Sequence, residues 1–285
     1  MKIIVSGSNS QIAKSLKKLD TKNNLIFLDK KKLNICNINS VKKNFQNYKP
    51  DILINCAAYT DVKRAENEII IANDTNNLSL KNLSDISNYY KTKLIHFSTD
   101  YVFDGNKKNK YNENSITNPL SIYGKTKLEG EKQIINYFKN YLIIRVSWLF
   151  SEFENNFLHF AINKFKLNEN IYAVDNLYSI PTSAKELARF INKKLLNKKS
   201  NQNIYHFVNS GTVINWYDFA NTILNTYKKK YKTNTKIIPV KAEKFFKNDI
   251  RPFNSSMSNK KICNDFDFKI ANWKKSLNEI IIKTI

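Results

Sequence analysis

The sequence predicts an α/β protein with a doubly wound parallel sheet and a smaller α/β domain. Short apolar runs alternate with helical patterns through the first half of the chain, as in successive βαβ units. The first apolar run is followed at once by a glycine turn and a helix, where such folds bind phosphate. The chain has 285 residues, enough to bury a sizeable core. Together these observations indicate a Rossmann-type fold.

The apolar runs predict the strands of the sheet over residues 3–5, 25–28, 52–54, 94–97 and 142–144. Helical patterns between them predict helices over residues 10–19, 39–48, 74–90 and 119–139, the last with Asn118 as its N-cap and Pro119 as its first residue. Beyond residue 148 further elements are predicted over 156–168, 183–197, 204–208, 215–230, 236–240 and 273–283. We therefore predict two discontinuous domains: residues 1–147 with about 176–208 bind a dinucleotide, and about 148–175 with 209–285 form the second.

The charge is strongly basic, with 47 Lys and Arg against 24 Asp and Glu, a net of +23. The lysines are spread in short clusters along the chain, so a solvated surface is favoured over a nucleic-acid stripe. Average usage predicts about 20 glycines in a chain of this length, and this one has 5. Plentiful Lys, Asn and Ile beside scarce Gly indicate compositional drift. We therefore predict no nucleic-acid partner.

The cysteines and histidines, three of each, lie too far apart in sequence to form a disulfide framework or a metal motif. Only three apolar residues precede Ser6 and Gly7, which indicates a strand and not a signal peptide. No uncharged apolar stretch approaches 18 residues. We therefore expect a soluble cytoplasmic protein with no metal site and no membrane contact.

Tyr123 and Lys127 are the strongest candidates for catalysis. They lie one turn apart on a predicted helix and so share a face. A phenol with a pKa of about 10 is a poor acid–base group at neutral pH, and a nearby cation would lower that pKa. Thr99, at the end of a buried strand, could hydrogen-bond the same carbonyl oxygen. This arrangement suits protonation of a ketone while hydride reaches its carbon.

The glycine turn is the first candidate cofactor segment. Gly7 ends the first strand, and Ser10, Gln11 and Ile12 open the helix. Ser10 and Ala13 stand where a second and a third glycine would be usual. The Ser10 side chain could crowd a pyrophosphate or donate a hydrogen bond to it.

Two further segments follow the second and third strands. Asp29 could bind ribose hydroxyls, and Lys30 to Lys32 could neutralise a 2′-phosphate, which favours NADPH with NADH as the alternative. Asn34 and Ile35 belong to the same candidate segment. After the third strand, small residues would let the backbone approach the cofactor; these positions are Cys56, Ala57, Ala58 and Tyr59.

Taken together, these segments resemble the family of dTDP-4-dehydrorhamnose reductases, which are extended short-chain dehydrogenases. The resemblance runs in order along nearly the whole chain. It rests on Asn55-Cys-Ala-Ala-Tyr-Thr60, Ser98-Thr-Asp-Tyr-Val-Phe-Asp-Gly105, Asn118-Pro-Leu-Ser-Ile-Tyr-Gly-Lys-Thr-Lys127, Arg145-Val-Ser-Trp148, Asn155-Asn-Phe157, Pro181-Thr182, Asn215-Trp-Tyr-Asp-Phe-Ala220 and Arg251-Pro-Phe-Asn-Ser255.

The resemblance implies NAD(P)H-dependent reduction of the 4-keto group of a dTDP-linked 6-deoxyhexose, in nucleotide-sugar and cell-surface polysaccharide biosynthesis. It implies that Thr99, Tyr123 and Lys127 are catalytic and that Lys127 also holds the nicotinamide ribose. The remaining cofactor contacts would include Ser98, and the second domain would bind the nucleotide sugar. The implied substrate contacts are Thr99, Asp100, Tyr101, Phe103, Trp148, Asn156 and Arg251. A homodimer stays open.

Two departures and two other functions are kept open. Ser10 replaces an expected glycine, and Lys63-Arg64 stands where the family more often has Asp-Lys. One alternative is a non-catalytic regulatory subunit of the same fold, as in the beta subunit of methionine adenosyltransferase. The other is an epimerase or dehydratase of nucleotide sugars; dehydration is disfavoured because Asp100 is followed by Tyr101 and not by a second carboxylate.

Overall fold

A computed structural model describes residues 1–19, 24–153, 156–196, 203–246 and 250–284. Two sequence predictions reach beyond them, because Asn155 and the last residue of the predicted helix 183–197 lie outside the described residues. Elsewhere the described chain is α/β, as predicted.

The strands in these residues are β1 (Lys2–Ser6), β2 (Asn24–Leu28), β3 (Ile52–Asn55), β4 (Lys93–Thr99), β5 (Tyr141–Val146), β6 (Leu149–Phe150), β7 (Ile171–Val174), β8 (Tyr178–Ser179), β9 (Thr182–Ser183), β10 (Asn203–His206), β11 (Ile214–Asn215) and β12 (Ile237–Val240). Six of them form one sheet in the order β10-β5-β4-β3-β1-β2, and every pairing in it is parallel. The remaining six form three two-stranded sheets. All five predicted sheet strands are confirmed.

The α-helices are α1 (Gln11–Lys18), α2 (Ile38–Tyr48), α3 (Val62–Ala65), α4 (Ile69–Asn73), α5 (Ser79–Tyr89), α6 (Ile122–Tyr137), α7 (Phe157–Lys166), α8 (Ala184–Phe190), α9 (Trp216–Tyr227), α10 (Ala242–Phe246), α11 (Lys260–Phe266) and α12 (Trp273–Thr284). A 3₁₀ turn covers Asp100–Val102, and π-helical turns cover Asp74–Leu78 and Ile191–Leu195. The predicted helix over 74–90 is therefore a π turn followed by α5.

The predicted N-terminus of α6 was wrong. Asn118 is not the cap, because the Ser121 hydroxyl accepts the Gly124 N–H at 3.1 Å and the helix starts at Ile122. The Asn118 amide instead lies 3.4 Å from the Asp104 carboxylate. A side chain that bonds elsewhere cannot satisfy the first free N–H groups of a helix.

Three large apolar cores, and a smaller cluster around Leu177, hold the described elements together. One face of the sheet packs on α1 and α8, and its core includes Ile3, Leu16 and Phe190. The other face packs on α2, α5 and α6. A third core joins α7, α9 and α12 around Phe219. The predicted domain division stays a prediction.

The site lies at the point where the order of successive strands in the sheet reverses. From β1 the chain goes outward to β2 and returns on the other side of β1 as β3. The segments that follow β1 and β3 therefore leave in opposite directions, and a crevice opens between them at the carboxyl ends of the strands. Gly7 and Ala57 meet at this point.

Candidate active site

The three predicted catalytic residues line one cavity of about 460 Å³. Thr99 ends β4, and Tyr123 and Lys127 lie one turn apart on α6, with Lys127 buried and Tyr123 partly buried. The parallel pairing of β4 with its neighbours sends Thr99 to the same edge of the sheet as the loops after β1 and β3. The cavity is also lined by other predicted site residues: Ser10, Gln11, Ile12, Cys56, Ala57, Ala58, Ser98, Asp100, Tyr101, Trp148 and Asn156.

Tyr123 is partly buried, and desolvation raises the pKa of its phenol above the ordinary value of 10.0. A hydrogen bond with Thr99 acts in the opposite direction, whereas the charges of Asp100 and Tyr101 raise the pKa further. The lowered phenol pKa expected from the sequence is therefore not what the structure has. The desolvation cost of a phenolate exceeds the help from its neighbours.

Lys127 is 2 % exposed. Its Nζ donates to the Phe97 carbonyl at 2.6 Å and lies 3.1 Å from His96 Nε2. Burial lowers the pKa of this lysine from 10.5 to about 8, although the charge of Glu131 raises it. The ammonium is thus costly here, and near pH 8 a substantial fraction of the side chain is an uncharged amine.

Asp100 is a buried carboxyl group that joins the catalytic loop to distant segments. Its side chain accepts from Ser255 Oγ at 2.5 Å and lies 3.1 Å from Thr99 Oγ1 and 3.5 Å from Ser179 Oγ. Burial raises the pKa of Asp100 to about 7, even though these hydrogen bonds lower it. The Tyr101 ring packs edge-on against Tyr123, with centroids 5.8 Å apart.

The glycine turn fits the close approach that a dinucleotide requires. Gly7 has φ +63, and a Cβ there would lie 2.6 Å from the backbone N of Ala57. Only glycine adopts this conformation readily. Because it has no side chain, the loop after β1 can contact the loop after β3. The N-terminus of α1 faces the cavity beside them, which suits a phosphate group.

Ser10, the position doubted from the sequence, is the N-cap of α1. Its hydroxyl accepts the Ala13 N–H at 3.2 Å. It also hydrogen-bonds the Cys56 thiol, which lowers that pKa, but burial dominates and raises the pKa to about 12. Gln11 connects the same turn to the second half of the chain, because its Oε1 accepts from Ser151 Oγ at 2.8 Å and Asn156 Nδ2 at 3.1 Å.

Several predicted contacts lie outside the cavity lining. Phe103 is fully buried and stacks on Tyr111 with centroids 4.2 Å apart, so it cannot form a substrate wall in this conformation. The Arg251 guanidinium lies 3.7 Å from the centre of the Phe246 ring. Tyr59 instead hydrogen-bonds Glu68 at 2.8 Å.

The residues predicted to contact the adenosine part of the cofactor also lie outside the cavity lining. The Asp29 carboxylate accepts the Lys32 N–H at 3.0 Å, and Asn34 accepts the Cys36 N–H at 3.1 Å. Ile35 is buried in a sheet core, whereas Lys30 is exposed. These four residues remain predicted contacts.

The predicted residue Trp148 lines the cavity together with two aromatic residues that the sequence reasoning missed, Phe157 and Trp216. Trp216 stacks on Trp148 with centroids 3.8 Å apart, and Phe157 packs against Trp216 at 4.8 Å. The signal was available, because Trp216 lies in one of the segments that carried the resemblance. Trp148 has φ +42, an unusual conformation for a bulky residue. The sequence reasoning also missed His96, which lies 3.1 Å from Lys127 Nζ, and Asn55, whose amide nitrogen lies 3.1 Å from His96.

Across the described ranges, no helix is long and apolar enough to cross a membrane. The same residues hold no group of three His, Cys, Asp or Glu side chains arranged for a metal ion.

The parallel sheet, the crevice at its switch point and the Thr-Tyr-Lys site define a Rossmann-type protein of the extended short-chain dehydrogenase class. The chain belongs to the RmlD substrate binding domain family, whose model matches residues 1–285.

Known proteins similar to this chain agree with that assignment. A dTDP-4-dehydrorhamnose reductase of Escherichia coli K12 is 32% identical over 100% of this chain and 99% of its own. One from Aggregatibacter actinomycetemcomitans is 31% identical over 98% of each chain. The crystal structure of the Bacillus anthracis reductase in complex with NADP has a TM-score of 0.93 and 32% identity, and it covers 99% of both chains. A UDP-glucose 4-epimerase of Thermotoga maritima, with a TM-score of 0.81 and 16% identity, shares the fold.

Proposed function

We propose that this protein reduces the 4-keto group of dTDP-4-dehydrorhamnose with NADPH to yield dTDP-L-rhamnose. The observation that carries the proposal is the convergence of Thr99, Tyr123 and Lys127 on one cavity at the switch point of the sheet. Family membership and full-length relatives named as this reductase support it.

The residues beside the crevice fit a dinucleotide. The N-terminus of α1 would hold the pyrophosphate. The close approach of Gly7 to Ala57 leaves no side chain in its way. Lys30 to Lys32 are exposed after β2 and suit a 2′-phosphate, which supports NADPH over NADH. The relative from Bacillus anthracis was crystallised with NADP. When bound, the reduced nicotinamide supplies the hydride.

Tyr123 would donate its phenolic proton to the ketone oxygen. Its raised pKa means that the phenol carries this proton at neutral pH, as a general acid must. Thr99 would hydrogen-bond the same oxygen from the end of β4. The Trp148 and Trp216 rings, with Asn156 beside them, would hold the deoxysugar and exclude water. Cytoplasmic location and a homodimer belong to this proposal as well.

The test mixes the purified protein with NADPH and dTDP-4-dehydrorhamnose and follows the absorbance of the reduced cofactor. We expect stoichiometric loss of NADPH and formation of dTDP-L-rhamnose. In a Tyr123→Phe variant, loss of the general acid should lower kcat by about 10²- to 10⁴-fold. NADPH binding, measured by fluorescence, should persist in this matched variant.

The same experiment separates the alternatives. An epimerase recycles its cofactor, so it would convert the sugar without net loss of NADPH. A regulatory subunit would show no turnover but would bind a stoichiometric protein partner, and Tyr123→Phe would leave that binding unchanged. Either result would contradict the reductase proposal.

A further inference from the structure

A chain of buried polar side chains runs beneath Lys127. Ser6, Asn55 and His96 are each at most 1 % exposed. They lie side by side on three neighbouring strands, because Ser6 is paired with Asn55 and Asn55 with His96 in the parallel register. Lys127 reaches this chain from α6.

The orientation of the Asn55 amide follows from its neighbours. The backbone N–H of Ala57 donates to Asn55 Oδ1 at 3.2 Å, and the Ser6 hydroxyl donates to the same oxygen at 2.6 Å. A backbone N–H is a donor only, so the group facing it must be the amide oxygen. The opposite orientation would place two N–H donors against each other.

The amide orientation determines which nitrogen of His96 carries the proton. Asn55 Nδ2 lies 3.1 Å from His96 Nδ1. Because an amide nitrogen is also only a donor, Nδ1 must accept. Burial is the largest cause that holds the pKa of His96 well below 6.5, and it suffices to keep the ring neutral. Its single proton is therefore on Nε2.

This proton points at Lys127, whose Nζ lies 3.1 Å from His96 Nε2. An ammonium has three donors and no lone pair, so it cannot accept the N–H. An uncharged amine can accept it and still donate to the Phe97 carbonyl, 2.6 Å away. We propose that Asn55 and His96 are positioning residues that favour the uncharged amine of Lys127 over its ammonium in the free enzyme.

Other groups around Lys127 are compatible with this assignment. Glu131 lies one turn further along α6 and favours the ammonium. Its carboxylate is paired with Arg145 of β5 at 2.6 Å, which offsets its charge. Asp100 of the 3₁₀ turn acts on Tyr123. Burial lowers the pKa of Lys127 to about 8 and so favours the amine independently of His96.

The inference deepens the proposed function and rests on it for its meaning in the reaction. A lysine whose uncharged amine is favoured takes up a proton when a negative charge forms nearby. The Tyr123 phenolate left after proton transfer to the ketone is such a charge. His96 would thereby set how readily the lysine takes up a proton from solvent at that moment.

The first test is nuclear magnetic resonance of the unaltered protein with ¹⁵N-labelled histidine. The chain has three histidines, so substitution of His159 and His206 assigns the signals. We expect His96 to be neutral with its proton on Nε2 across neutral pH. A proton on Nδ1, or a charged ring, would overturn the proposal without the need for any His96 variant.

The second test titrates Lys127 through the ¹³C chemical shift of its Cε. We expect a midpoint near 8 in the unaltered protein. His96→Met keeps the volume but removes the N–H donor, so the midpoint should rise by about one pH unit. His159→Gln is the matched control and should leave the midpoint unchanged, because His159 bonds the Glu152 carbonyl, away from Lys127.

An unchanged midpoint in His96→Met would overturn the proposal. The His96 spectrum and the Lys127 titration need neither substrate nor cofactor. Failure of this inference and failure of the proposed reductase function can therefore be told apart. As a functional check, the pH at which NADPH oxidation falls to half should move with the Lys127 midpoint. A merely structural role of His96 would lower stability without moving that pH.

Discussion

At the scale of single residues, burial decides the chemistry of this site. Tyr123, Lys127 and Asp100 all have pKa values displaced towards their neutral forms, and in each case desolvation is the largest cause. The site of the unliganded protein therefore carries less charge than its residue types indicate. A bound cofactor with its own charges would enter a weakly charged crevice.

Lys127 should give the protein a distinctive pH dependence. Its pKa is about 8 in the folded state and 10.5 as the ordinary value. Between these pH values the unfolded chain binds more protons, so the free energy of unfolding should rise with pH by up to about 1.4 kcal/mol per unit. Lys127→Met should lack this component, as measured by urea unfolding from pH 7 to pH 10. If the free energy of unfolding changed with pH equally in both proteins, the lowered pKa of Lys127 would be contradicted.

Ser10 offers a test of the local role assigned to it. Ser10→Ala removes the cap of α1 and should lower the free energy of unfolding by about 1 kcal/mol, whereas Ser10→Gly should cost only a few tenths. Denaturant unfolding measures both. NADPH affinity in Ser10→Gly should stay within about threefold if the hydroxyl serves the helix; a much tighter complex would mean that the serine crowds the pyrophosphate.

At the scale of elements, the π turn Asp74–Leu78 connects the cofactor loop to the catalytic helix. Asn76 hydrogen-bonds both backbone groups of Tyr59, at 2.9 and 3.0 Å, and Thr126 Oγ1 at 3.2 Å. Thr126 precedes Lys127 on α6. One buried amide thus fixes the loop after β3 relative to the catalytic lysine, and π turns are frequent at functional sites.

Gly130 shows how closely these elements pack. A Cβ at Gly130 would lie 2.0 Å from the Asn76 carbonyl oxygen. Although alanine favours a helix by about 1 kcal/mol over glycine, Gly130→Ala should destabilise the protein by about 1–3 kcal/mol through overpacking. Thermal unfolding measures this, with the exposed Glu129→Ala as control. A stabilised Gly130→Ala would show that α6 is free to move away from the π turn.

At the scale of the whole molecule, polar contacts from both halves of the chain meet at the site. Ser255 and Ser179 bond Asp100, and Gln11 bonds Ser151 and Asn156. Three of these four contacts join residues more than 100 positions apart, so distant parts of the chain shape one crevice. The cavity depends on how the second half of the chain packs over the sheet edge.

Ser255→Ala tests this long-range connection. Asp100 has a folded-state pKa of about 7, above its ordinary 3.8, so the unfolded chain loses this proton first and stability falls as pH rises from about 4 to 7. The Ser255 hydrogen bond lowers that pKa, so its loss should cost about 1–3 kcal/mol, more above pH 7 than below pH 5. Urea unfolding at both pH values measures the difference. An equal loss of unfolding free energy above pH 7 and below pH 5 would mean that Asp100 is not ionised in the folded protein.

The sequence by itself determined the α/β class, the five strands first recognised and the segments that carry the family resemblance, because hydrophobic period and short motifs are local properties. It placed Thr99, Tyr123 and Lys127 together, since their spacing and strand ends fix their positions. Only the tertiary structure decided that Phe103 is buried, that Trp216 joins Trp148, and that Asn55 reaches Lys127 through His96. Those contacts join residues distant along the chain, and burial, orientation and pKa follow from neighbours that no local pattern specifies.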